Sequence, residues 1–170
     1  DKSSFLIGGR ATYSDWILKF LEDPSLRNSR ASFYDLSAAV TFDPDESNLV
    51  KFFGYYSSDH FQYSDVLSYD YQNTGAAMTW RRRISSSLSS DMAAVFSHYA
   101  FGTVNQEYPS SAYSHDYRIG QWELVSDFNW VPVRKHFITF GAKLIYYHLD
   151  RGTLAPFGDQ SVRKSSALGM

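Results

Sequence analysis

Two runs of alternating residues joined by a short turn constrain this chain more than any other feature. They are Gln121-Trp-Glu-Leu-Val-Ser-Asp-Phe-Asn-Trp130 and His136-Phe-Ile-Thr-Phe-Gly-Ala-Lys-Leu-Ile-Tyr-Tyr147, with Val-Pro-Val-Arg-Lys between them. Period-two alternation on both sides of a Pro-marked turn predicts a β-hairpin. One parity holds Trp122, Leu124, Phe128 and Trp130, answered by Ile138, Phe140, Ala142, Leu144 and Tyr146. The other holds Gln121, Glu123, Asp127 and Asn129, answered by Thr139, Gly141, Lys143 and Tyr147. Setting Trp130 opposite His136 places Leu124 against Ala142 and Glu123 against Lys143. That register predicts an ion pair on a polar face and an uninterrupted apolar face behind it.

The same alternation recurs upstream over 4–13, 30–42, 49–56, 69–82 and 92–105, and 165–170 reads as the start of an eighth strand. Parity is irregular before Thr74, which predicts a bulge there, and the faces of 92–105 are not assigned by pattern. Ser14 is positioned to cap one or two helical turns over 14–21. Connections alternate between long (22–30, 57–68, 106–116, 149–164) and short (43–48, 83–91, 131–135). An aromatic content of 18% suits strands better than helices. No run reaches the roughly 18 apolar residues of a membrane-spanning helix. Strands of about ten residues joined alternately by short turns and long loops are the pattern of a transmembrane barrel. Phe42, Trp80 and Trp130 each close a strand beside a short turn, where one interfacial girdle is expected, and Tyr34 and Tyr146 fall near the opposite rim. The predicted fold is therefore all-β: an antiparallel up-and-down meander forming a partial transmembrane β-barrel over 1–170, with about seven strands plus the start of an eighth. A complete eight-stranded outer-membrane barrel (an adhesin or a lipid enzyme) and a soluble antiparallel β binding protein are the alternative readings.

Candidate chemistry is sparse. A formal net charge of −2 argues against nucleic acid as a partner. The absence of Cys removes disulfides and thiolate metal sites. There is no Gly-x-Ser-x-Gly, no phosphate-cradling loop and no His-Glu-x-x-His, so no enzyme, cofactor or metal site is predicted. His60, His115 and His148 fall in or beside proposed extracellular loops, where convergence on a ligand is conceivable in chemistry but unsupported by spacing. Trp16, Tyr63 and Tyr113, with Tyr69, Tyr108 and Tyr117, offer rings for stacking on sugars or hydrophobic ligands, or for anchoring at the interface. Carboxylates enrich the same rim and suit divalent ions that bridge lipopolysaccharide. Glu123 and Lys143 are expected as a structural pair in the lumen. The chain begins at Asp1 without initiator Met or signal peptide and reads as a mature or excised piece.

Ser4-Phe-Leu-Ile-Gly-Gly-Arg-Ala-Thr-Tyr-Ser-Asp-Trp-Ile-Leu18, followed by Asn28-Ser-Arg-Ala-Ser-Phe-Tyr-Asp-Leu36, resembles the barrel of Bacteroidetes-type TonB-dependent outer-membrane receptors. The order of up-strand, Ser-Asp-Trp segment, loop and Ser-Phe-Tyr-Asp-Leu down-strand carries the likeness. The resemblance implies a bacterial outer-membrane location and a barrel of about 22 strands plugged by an N-terminal domain. It also implies energised uptake of a scarce ligand such as a siderophore, cobalamin or a glycan. Implied partners are outer-membrane lipid and lipopolysaccharide, the rest of the barrel and its plug, and the TonB complex. No plug and no TonB-binding box are present, so the resemblance implies a barrel fragment that is inactive in isolation.

Overall fold

The computed structural model describes residues 2–13, 15–108, 112–152, 154–155 and 165–169. It is all-β. Seven long strands run as an up-and-down meander: β1 Ser3–Tyr13, β2 Arg30–Asp45, β3 Asn48–Tyr63, β4 Leu67–Arg83, β5 Leu88–Asn105, β6 Tyr113–Val133 and β7 His136–Asp150. Each pairs antiparallel with the next, β9 (Ser165–Gly169) adds to β7, and β8 (Leu154–Ala155) pairs with β6. Two single-turn helices, α1 Asp15–Leu18 and α2 Pro24–Arg27, sit between β1 and β2. Asp23 caps α2 by accepting from the Ser25 amide at 2.8 Å, and Pro24 opens it without a lost donor.

Several expected boundaries are corrected. β3 and β4 run together through most of the predicted 57–68 loop and meet in a tight turn, with Ser64 and Asp65 both at positive φ (47° and 56°). Two successive positive φ values match the right-handed twist of the flanking strands, and Asp and Ser tolerate them. Strand length reaches 21 residues in β6, which starts at Tyr113 inside the predicted 106–116 loop. The bulge expected before Thr74 is absent, because β4 pairs without a register shift on both sides. Register shifts occur instead at Phe42/Asp45 and Trp130/Val133. The second of these moves the opening hairpin by two residues. Trp130 faces Ile138 rather than His136, Leu124 faces Leu144, and Glu123 faces Ile145. A two-residue slip conserves parity, so both faces keep their composition.

The Asp45 turn illustrates how the short connections are fixed. Its carboxylate accepts from the Ser47 amide at 2.8 Å and from the Asn48 side chain at 3.0 Å. Those hydrogen bonds, the Ser47 amide foremost, hold the Asp45 carboxyl below the usual carboxylate range. A lowered folded-state pKa means that this stabilisation is present above the ordinary carboxylate value and is lost as pH falls through the folded one. Asp45→Ala is expected to speed exchange of the Ser47 amide at neutral pH and to remove its acid dependence. Unchanged protection measured by hydrogen exchange would sink this account.

No hydrophobic residue among those described is buried; the buried residues are Ser29, Ser57, Ser90 and Thr103, and of these only Ser90 is fully so. The surface is 12232 Å², against about 8,500 Å² expected of a compact monomer of this mass. A sheet that leaves this much apolar surface open is stabilised by ladder hydrogen bonds and by whatever medium covers its faces.

Candidate functional site

The two faces differ in chemistry and in accessibility. Along β2, Tyr34, Leu36, Ala38, Val40 and Phe42 are exposed while Asp35, Ser37, Ala39 and Thr41 are half-buried. β6 repeats this, with Trp122 and Leu124 exposed and Gln121, Glu123 and Val125 half-buried. Side chains splay apart on the convex side of a curved sheet and crowd on the concave side, so the polar parity is the inner one. Registered pairing carries each face across the sheet: Phe5, Val40, Phe52, Met78, Ala94 and Leu124 all point outward. Outward positions within 5–11, 36–42, 50–56, 74–80, 88–98, 120–130 and 138–146 hold no Asp, Glu, Lys or Arg.

The inner face holds three ion pairs. Arg10 pairs with Asp35, Arg81 with Asp91 at 2.6 Å, and Lys143 with Glu123 at 2.8 Å. The predicted Glu123–Lys143 contact forms, but diagonally, since the Cα partner of Lys143 is Val125. Diagonal neighbours lie within reach of such long side chains. Between these groups lies a hollow of about 230 Å³ lined by Lys51, Thr79, Arg81, Asp91, Ala93 and Asp127 among others.

Beyond the ion pairs, toward the β3–β4 turn, the inner face becomes a ladder of rings. Phe61 stacks on Tyr69 (6.4 Å between centroids), Tyr71 meets Phe101 at 5.0 Å, and Phe101 meets Tyr117 at 5.2 Å. Tyr99 and His115 both lean on Tyr117, at 5.7 and 6.0 Å. Cross-strand ring pairs of this kind stiffen strands that have left the apolar belt. Half-exposed phenols also offer faces for stacking and hydroxyls for hydrogen bonding. Of these rings, Tyr69 and Tyr117 stand out in the sequence. Tyr71, Tyr99 and Phe101 lie inside the predicted strands 69–82 and 92–105, where pattern alone leaves the faces unassigned, and Phe61 becomes legible only once β3 is known to run to Tyr63.

The candidate residues do not converge. Trp16 lies in α1, edge-on to Phe20 at 6.5 Å. His60 is in β3 rather than a loop, faces outward and bonds Asp70 at 2.7 Å. His148 is also in a strand and outward, paired with Gly120. His115 faces inward from β6, its Nε2 3.0 Å from the Arg151 carbonyl oxygen. The sheet thus separates the three histidines by face. Tyr113 shares the inner parity at the start of β6, and Tyr63 shares it at the end of β3.

No protein-family model matches the sequence, and no curated protein matches it. Among solved structures, the chain is similar to the copper transporter OprC, with a TM-score of 0.63 and 14% identity over 85% of this chain. The matched region is 24% of OprC, so the chain spans about a quarter of that protein's length. The likeness is one of fold: a meander of long antiparallel strands.

Proposed function

We propose that this chain is a length of barrel wall from an outer-membrane transporter of the TonB-dependent receptor type. Its outward belt meets lipid, and its inner face lines the path of a scarce ligand. The plug and the TonB-binding segment are supplied by other parts of the same protein. The observation that carries this reading is the inverted pattern: an exposed outward belt without a charged side chain, backed by an inner face that gathers three ion pairs. A water-soluble sheet places its charges on the exposed side; a membrane barrel reverses that order. The belt has the right height. Ile138 to Tyr146 covers about 26 Å along β7, or roughly 20 Å of vertical rise at about 40° of tilt. The fold shared with a transporter and the receptor-like sequence over the first 36 residues support the same reading. The metal in the neighbour's name does not transfer at 14% identity. The ring ladder favours a ligand with planar or sugar-like faces.

Adjacent alanines on β5 give a direct test. Ala93 points into the inner hollow and Ala94 into the belt, and the chain contains no Cys. In the full protein in intact membranes, a membrane-impermeant maleimide is expected to modify Ala93→Cys and to spare Ala94→Cys. Equal labelling of both, or labelling of Ala94→Cys alone, would remove the membrane-wall reading.

A further inference from the structure

Just beyond the uncharged belt, the outward faces of β4, β5 and β6 frame a polar groove of about 360 Å³. Asp70 and Gln72 form one wall, Asp116 and Arg118 the other, and Ala100 and Gly102 the floor. Registered pairing builds it. Gln72, Ala100 and Arg118 are successive Cα partners, and so are Asp70, Gly102 and Asp116. The walls therefore stand two strand spacings apart, about 10 Å, with nothing larger than a methyl group between them. The gap is local, because the neighbouring outward positions on β5 carry His98 and Val104. One pyranose ring fits between such walls.

The wall chemistry suits a sugar. Two carboxylates accept hydrogen bonds from adjacent hydroxyls, and the Arg118 guanidinium and Gln72 amide donate to ring and hydroxyl oxygens. His60 holds the Asp70 carboxylate at 2.7 Å and leaves its second oxygen to the groove. Position selects the source of the sugar. The groove opens outward, away from the inner wall. Arg118 lies four residues past Trp122, roughly 10 Å higher at about 40° of tilt, which is the level of the head groups above the hydrocarbon. We propose that this groove seats a sugar ring from the head group of an outer-leaflet glycolipid, an inference that rests on the membrane-wall reading above.

Native mass spectrometry of the delipidated full protein in detergent tests it, with a short-chain lipopolysaccharide and phosphatidylethanolamine as competing probes. One lipopolysaccharide is expected to be retained in preference to the phospholipid. Gly102→Leu is expected to lower its occupancy at least tenfold; an added Cβ there lies 3.9 Å from the Asp70 Cβ, an ordinary contact, so the side chain fills the groove without forcing the backbone. Arg118→Gln is expected to lower occupancy severalfold, and this polar change keeps the test open should Gly102→Leu fail to fold. Equal retention of both lipids, undiminished occupancy in the folded variants, or equally tight binding of the free, lipid-stripped oligosaccharide would each overturn the proposal. Cysteine labelling that follows the inner and outer pattern while lipopolysaccharide shows no preference would remove the groove alone and leave the wall standing.

Discussion

Leu124→Arg is expected to lower the membrane-folding equilibrium constant of the full protein by between about thirtyfold and a thousandfold, while Ser97→Arg leaves it nearly unchanged. Both positions are exposed and both lie in the middle of long strands. In water, either substitution would shift stability by no more than about 0.5 kcal/mol, because neither removes a packed or hydrogen-bonded group. The bilayer separates them. Leu124 points outward from the centre of the belt, where Arg on the lipid face of a barrel costs roughly 2–4 kcal/mol. Ser97 is opposite Gln121 on the inner face, where a guanidinium meets water and nearby acids. Folding titrations into lipid vesicles, read by the mobility of unheated protein in detergent gels, compare the two. Equal tolerance of both substitutions would remove the lipid from the outward face.

The contrast between those two residues also explains what the sequence could and could not reveal. Within the belt, one face is apolar and the other polar, so alternation is strong and parity is readable. Tyr34 to Phe42 and Ile138 to Tyr146 are assigned to their faces by pattern alone. Above the belt the two faces lose that contrast. Ser58, His60 and Gln62 face one side and Asp59, Phe61 and Tyr63 the other, with no consistent contrast in polarity. The segment therefore reads as a loop although it is strand, while most of the ring ladder and of the outward groove lies in predicted strands 69–82 and 92–105 whose faces pattern leaves unassigned. Register fails for a different reason. Val131 to Lys135 fixes the existence of a turn, but the shift between Trp130 and Val133 depends on where the ladder breaks. A two-residue slip leaves every side chain on its own face, so pattern alone has no power to detect it.

Gly141→Ala is expected to disrupt the β6–β7 pairing, through a contact that neither face pattern nor turn chemistry exposes. Gly141 sits on the inner face opposite Asp127. A Cβ built there would lie 2.1 Å from Asp127 Oδ1, 2.6 Å from the Ser126 carbonyl oxygen and 3.1 Å from the Asp127 Cα. Rotation of the Asp127 side chain relieves the first clash, but the other two involve backbone held in the ladder. Removing them requires the strands to separate locally, and overpacking that moves backbone costs about 1–3 kcal/mol or more. The comparison that isolates this cause is the double variant Gly141→Ala with Asp127→Ala. If backbone crowding governs, the second substitution recovers little of the lost folded fraction; full recovery would assign the effect to the carboxylate alone. Gly54 is the internal control, since a Cβ there meets nothing within 4 Å and Gly54→Ala is expected to be neutral or slightly stabilising. A loss at Gly54→Ala as large as that at Gly141→Ala would show that the sheet tolerates no added side chain at either position, and the close approach at Asp127 would no longer account for the requirement at 141.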